Sequence, residues 1–176
     1  MGLFKPTVMI EQIMQVNAQE FVDQGIKVIL SDLDNTLVPW NQKYRRDQRL
    51  IKWNQELKAQ GVKLVIVSNN NRARVLKAVQ GLDVEVVDRA LKPLPFAIKK
   101  YLSEQHLAKK DVIMVGDQLM TDILAGNLAG LATILVRPLV ATDAKKTRIN
   151  RFFERPLMWL NSRLYRQLKW RQHLNE

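Results

Sequence analysis

Five short apolar runs, at residues 27–31, 62–67, 84–87, 111–115 and 132–136, constrain this chain more than any other feature. None alternates apolar with polar as a half-exposed strand would, so each reads as a strand buried on both faces. Between them, segments 44–60, 72–80, 95–105 and 121–129 read as helices. Leu50, Ile51, Trp53 and Leu57 have helical spacing, and Gly61 and Gly81 lie where a helix-ending glycine belongs. Strands alternating with helices predict an α/β fold, a doubly wound parallel sheet covered on both sides. The first 25 residues, with Val8, Ile10, Ile13, Met14, Val16 and Phe21 before a stop at Gly25, predict one or two short helices.

The run VILSDLDNTLVPW at residues 28–40 carries two aspartates directly out of a strand. Carboxylates that close to an apolar interior are costly unless paired, hydrogen-bonded or bound to a metal. The same thing recurs along the chain. Asp32 and Asp34 follow the first of these strands, Ser68 the second and Asp117 the fourth, and Lys92 lies in the loop after the third. In an open α/β sheet ligands bind at the carboxyl ends of the strands, so separate segments would deliver these groups to one edge. Aspartates on alternate residues of an extended chain point the same way, so both can reach one group.

The ordered set resembles the haloacid-dehalogenase-like phosphatases. Their Asp-x-Asp-x-Thr motif matches Asp32, Asp34 and Thr36, and their Ser or Thr after a hydrophobic strand matches Ser68. Their lysine ahead of a helix matches Lys92, and their Gly-Asp with a later acid matches Gly116, Asp117 and Asp122. The resemblance implies that Asp32 is a nucleophile forming an aspartyl-phosphate and that Asp34 is the general acid and base. It implies Mg2+ held by Asp32, the Asp34 main-chain carbonyl and Asp117, with Ser68, Asn69 and Lys92 around the phosphoryl oxygens. The compact form and the GDQLMTDILAGN stretch are similar to subfamily IIIA, the YqeG type, related to phosphatidylglycerophosphate phosphatases. That likeness spans residues 25 to 138 and implies a phosphatidylglycerophosphate-like substrate.

Blander readings exist for each residue alone. An Asp or Ser after a strand can be a helix cap, and Thr36 and Asp122 can be turn or helix-start residues. Asn69, Asn70 and Asn71 can be turn formers ahead of a helix. Receiver domains also use aspartate, magnesium, a hydroxyl and a lysine, but the i, i+2 acid pair followed by Thr fits the hydrolase pattern better.

The 34 residues from Asp34 to Ser68 and the 24 from Ser68 to Lys92 are filled by a polar flap at 38–46, helices and strands, with no room for a cap domain. An open site suits a phosphate carried on a protein, a nucleic acid end or a lipid. Net charge points the same way. Of the +11 excess, +6 lies in residues 141–176, where nine Lys or Arg face three acids. We therefore divide the chain into a core, 1–140, and a basic tail, 141–176. In the tail Leu157, Leu160, Leu164 and Leu168 repeat at helical spacing beside Arg163, Arg166, Lys169 and Arg171. Trp159, Tyr165 and Trp170 suit a headgroup boundary, as in an interfacial helix on an anionic membrane. The leucines would equally suit packing on the core. Nucleic acid or ribosome docking through the tail, with catalysis secondary, is the alternative function. The absence of Cys excludes disulfides and thiolate chemistry, and two histidines, His106 and His173, make a histidine-rich metal site improbable. No signal peptide and no apolar run of roughly 18 residues is seen, so cytoplasmic residence is expected.

Overall fold

The computed structural model describes residues 2–41, 47–140 and 168–176. Seven strands form one sheet in the order β4-β3-β2-β5-β6-β1-β7, every neighbouring pair parallel. They are β1 Val8–Ile10, β2 Val28–Ser31, β3 Lys63–Val67, β4 Glu85–Val87, β5 Val112–Gly116, β6 Ala132–Val136 and β7 Trp170–Arg171. The helices are α1 Ala18–Asp23, α2 Gln48–Ala59, α3 Arg72–Ala78, α4 Phe96–Glu104 and α5 Leu124–Ala129. No domain interrupts the chain between β2 and β5 among the described residues.

The five expected strands are present, and their residues alternate between two cores. Ile29, Leu64, Ile66, Ile113 and Val115 pack with Phe21, Trp53, Leu57 and Val75 from α1, α2 and α3. Val28, Leu30, Val65, Val67, Val112 and Met114 pack on the other face with Ile98, Tyr101, Leu102 and Ala125 from α4 and α5. Both faces of β2, β3 and β5 are thus dry, which is why those runs contain no polar alternation; β4 departs from the expectation, because it is the edge strand, with Glu85 exposed and Val86 and Val87 half-buried. Caps set the helix starts. Asn17 and Glu20 form a reciprocal capping box on α1, and Asp47 and Asn71 accept main-chain N–H groups at the starts of α2 and α3.

Three expectations are corrected. Residues 8–10 are a strand, not part of a helix, because they find the open edge of β6, with Val8 opposite Ile134 and Ile10 opposite Val136. The expected helix at 121–129 starts earlier, with a π-helical turn over Leu119–Ile123 before α5. In the tail, Trp170 and Arg171 form a strand on β1, with Met9 opposite Trp170. Trp170 is half-buried and packs with Leu168 against Met9, Leu119, Ile123 and Leu135, with the Arg137 guanidinium 4.4 Å above its ring. Beyond it, Leu174 N–H donates to Glu20 Oε2 at 2.7 Å, and His173 Nδ1 lies 2.9 Å from Glu20 Oε1. The rest of the tail expectation, including Leu157, Leu160 and Leu164, and residues 42–46 of the flap lie outside the described residues.

Candidate active site

The sheet order reverses direction at β2, with β3 on one side and β5 on the other, and Asp32 leaves the end of β2 at that switch point. Its N–H donates to Val115 O at 2.9 Å, which carries the β5 pairing one residue past the strand. The chain then turns tightly. Asn35 takes a φ of 67°, a left-handed conformation that asparagine tolerates better than most residues, and its Oδ1 accepts from Trp40 N–H at 3.3 Å. Leu139 N–H donates to Asn35 O at 2.9 Å, which ties the loop after β6 to this turn.

Lys92 is the hub. Its Nζ donates to Asp32 Oδ1 at 2.7 Å, Asp122 Oδ1 at 2.7 Å and Val67 O at 2.8 Å, so all three of its hydrogens have acceptors. Burial pulls the ammonium's pKa down, but Asp122 and Asp32 more than reverse this, and the group stays charged. Thr36 Oγ1 lies 3.5 Å from Asp32 Oδ2 and 3.3 Å from Asp117 Oδ1, bridging the two carboxylates. Asp122 is no mere helix-start residue. It is buried, accepts Gln118 N–H at 3.1 Å on Oδ2, and has its carboxyl pushed up to about 6 by burial and Asp32, against the pull of Lys92. Carboxylate oxygens of Asp32, Asp117 and Asp122 lie within 4.8 Å of one another. Three clustered carboxylates, with one buried lysine bonded to two of them, leave a negative excess and an all-oxygen donor set, which fits a hard divalent cation.

Asp34 stands apart from that cluster. Asn70 Nδ2 donates to its Oδ2 at 2.7 Å and the Arg74 guanidinium reaches its Oδ1 at 3.3 Å. Burial and the charge on Asp32 hold its carboxyl above the ordinary carboxylate range despite both donors. The two aspartates of the pair are therefore held differently, one by a lysine and one by a helix-borne arginine.

All eight expected site residues reach this edge. Ser68 is buried, with Oγ accepting Asn70 N–H at 3.1 Å. Asn69 comes to the site with its amide on the lysine's main chain: Oδ1 accepts Lys92 N–H at 2.7 Å and Nδ2 donates to Lys92 O at 2.9 Å. Asn70 and Arg74 were not anticipated from the sequence, and nothing local distinguishes them from turn and helix-surface residues. Gly116 was noted only as part of a motif. A Cβ there would overlap Asp122 Cβ, Cγ and Oδ2, so the glycine is what lets Asp122 approach the strand.

Similarity to known proteins agrees with this geometry. Residues 1–140 match the family model described as mitochondrial PGP phosphatase. The probable phosphatase YqeG of Bacillus subtilis (strain 168) is 38% identical over 155 residues, 88% of this chain and 90% of that protein. Ribonucleotide monophosphatase NagD of Escherichia coli (strain K12) is 49% identical over a local stretch of 45 residues, 26% of this chain and 18% of NagD. The cobalt-bound form of the deoxy-D-mannose-octulosonate 8-phosphate phosphatase (YrbI) of Haemophilus influenzae shares the fold. Its TM-score is 0.51 at 13% identity, covering 67% of this chain and 71% of that one.

Proposed function

The chain belongs to the mitochondrial PGP phosphatase family and is a phosphatase of the haloacid-dehalogenase-like type; from that premise we propose that it is a magnesium-dependent phosphomonoesterase using Asp32 as nucleophile. The observation that carries this reading is the division of labour between Asp32, 2.7 Å from Lys92 Nζ, and Asp34, held 3.3 Å from Arg74 with a raised pKa. A charged carboxylate suits attack on phosphorus, and a carboxyl biased toward its protonated form suits donation to a leaving oxygen.

In the first step an Asp32 oxygen bonds to phosphorus, the phosphorus–oxygen ester bond breaks, and Asp34 passes its proton to the departing oxygen. In the second, Asp34, now a carboxylate, takes a proton from a water that attacks the aspartyl-phosphate, releasing inorganic phosphate and regenerating Asp32. Ser68, whose Oγ already accepts from Asn70 N–H, has its hydroxyl hydrogen to donate to a phosphoryl oxygen. Asn69 holds the main chain of Lys92, so its contribution is to fix the lysine beside Asp32. Asp32, Asp117 and Asp122, with the Asp34 main-chain carbonyl, would hold Mg2+, which would supply positive charge against the phosphoryl oxygens.

The substrate we propose is phosphatidylglycerophosphate or another phosphate ester on a large or membrane-borne carrier, supported by the family and by the lack of an inserted domain between β2 and β5 among the described residues. The test is phosphate release from an aryl phosphate, with magnesium or with EDTA, for wild type and Asp32→Asn, followed by phosphatidylglycerophosphate in mixed micelles. Activity should need both the metal and Asp32, and the variant should lose at least about 10^4-fold in kcat. Substantial metal-independent turnover, or turnover by Asp32→Asn, would overturn the mechanism.

A further inference from the structure

Seven large hydrophobic side chains are exposed among the described residues, and three of them fall within six residues of the chain: Leu91 at 66%, Leu94 at 47% and Phe96 at 69%. They bracket Lys92, so the segment has two sides, with the ammonium turned inward to Asp32 and the apolar groups turned outward. Leu94 N–H donates to Leu91 O at 2.9 Å, which brings the two leucines together at the ends of one tight turn. Leu91 has a φ of 55°. A leucine there crowds its own carbonyl, and no core position compensates, because the side chain is exposed. An unfavourable backbone that presents an apolar group to solvent beside a reaction centre indicates a use for that group.

The surroundings are basic. Arg89, two residues before Leu91, is exposed, and Arg72 is held against Asp88 at 3.3 Å next to it. Lys99, exposed, lies one helical turn from Phe96 on α4. Apolar groups among cations complement a surface that presents anionic headgroups above hydrocarbon. A nucleic acid offers the phosphates without the hydrocarbon layer.

We infer that the turn at residues 91–96 docks on an anionic lipid bilayer, with Leu91, Leu94 and Phe96 entering its interface beside the mouth of the Asp32 site. This rests on the phosphomonoesterase reading for its purpose, and its test does not depend on catalysis. The full chain and a Leu94→Ser/Phe96→Ser variant are sedimented with vesicles of phosphatidylglycerol and phosphatidylcholine, and with vesicles of phosphatidylcholine alone. Hydrolysis of a soluble aryl phosphate is measured in parallel. The wild type should partition onto the anionic vesicles, and the variant's partition coefficient should fall roughly tenfold or more, with aryl phosphate turnover unchanged. Leu91→Asn, which places a residue tolerant of positive φ at that position, should act in the same direction. Equal partition of wild type and variants, as a protein partner for the turn or docking through the tail would give, overturns the inference. So does a wild type that ignores vesicles, even if it hydrolyses aryl phosphate. Turn-dependent vesicle binding without aryl phosphatase activity would sink the hydrolase reading and leave the docking surface standing.

Discussion

Asn69, Asn70 and Asn71 are identical side chains in succession, and each has a different task. Asn69 clamps the main chain of Lys92, Asn70 holds Asp34, and Asn71 caps α3. Composition reads only turn formers here, because the task depends on which distant group faces each amide. Arg74 is the same kind of case. It lowers the pKa of Asp34, although burial and Asp32 keep the net shift upward. A general acid must be protonated, so kcat/KM falls as pH rises through its pKa. Arg74→Ala removes a lowering influence and should move that alkaline limb to higher pH, measured on an alkyl phosphate whose leaving oxygen needs the proton. Lys92→Met should be costlier to the fold. It leaves Asp32 and Asp122 without their shared cation, a loss on the order of 3–5 kcal/mol by denaturant titration without divalent metal at neutral pH. The loss should shrink in acid, where the carboxylates can protonate.

Elements carry the next level of constraint. The π-helical turn over Leu119–Ile123 adds a residue to the helix start, and Asp122 within it takes Gln118 N–H while meeting Lys92. That geometry needs Gly116 without a Cβ. Gly116→Ala should therefore cost about 1–3 kcal/mol of stability, and it should also lower kcat by displacing Asp122 from the lysine. A stability loss with kcat intact would mean that Asp122 does not act through Lys92. At the other end of the sheet, the docking of His173 and Leu174 on Glu20 titrates. Burial alone would raise the Glu20 pKa, but its bonds to His173, Asn17 and Leu174 lower it overall. Its contribution is present above the unfolded carboxylate pKa and is lost as pH falls through the lowered value. His173 is raised by Glu20, so its contribution is full below about 6.5, the unfolded imidazole value, and is lost as pH rises through the folded one. Protection factors for amide exchange at residues 170–174, corrected for the intrinsic pH dependence of exchange, should thus be highest in mildly acidic solution, and Glu20→Gln should flatten that dependence. Strands β1 and β7 escaped the sequence reading because three and two residues are too few to show a period. They are strands because an open sheet edge was there to pair with.

For the whole molecule, the sheet gathers acids from the ends of β2 and β5 and from the π-turn into one cluster. An ion bound only by the folded state should raise stability, by about 2.7 kcal/mol at a hundred times its Kd, or several degrees in Tm for a chain of this size. Asp117→Asn should abolish most of that magnesium-dependent rise in a thermal melt. Asp34→Asn should keep it, because the Asp34 side chain faces Asn70 and Arg74 rather than the cluster. No helix among the described residues is long and apolar enough to cross a membrane. Sequence alone determined the α/β class, five adjacent strands of the seven and the edge where Asp32, Asp34, Ser68, Lys92 and Asp117 meet. Apolar periodicity is local, and a parallel sheet puts every strand's carboxyl end on the same side. Tertiary structure decided what each of those residues touches: Arg74 on Asp34, Asn69 behind Lys92, Asp122 over Gly116, and β1 and β7 on the far edge. Those pairings join groups far apart in the chain, and their energies come from hydrogen bonds and burial that exist only once the layers have packed.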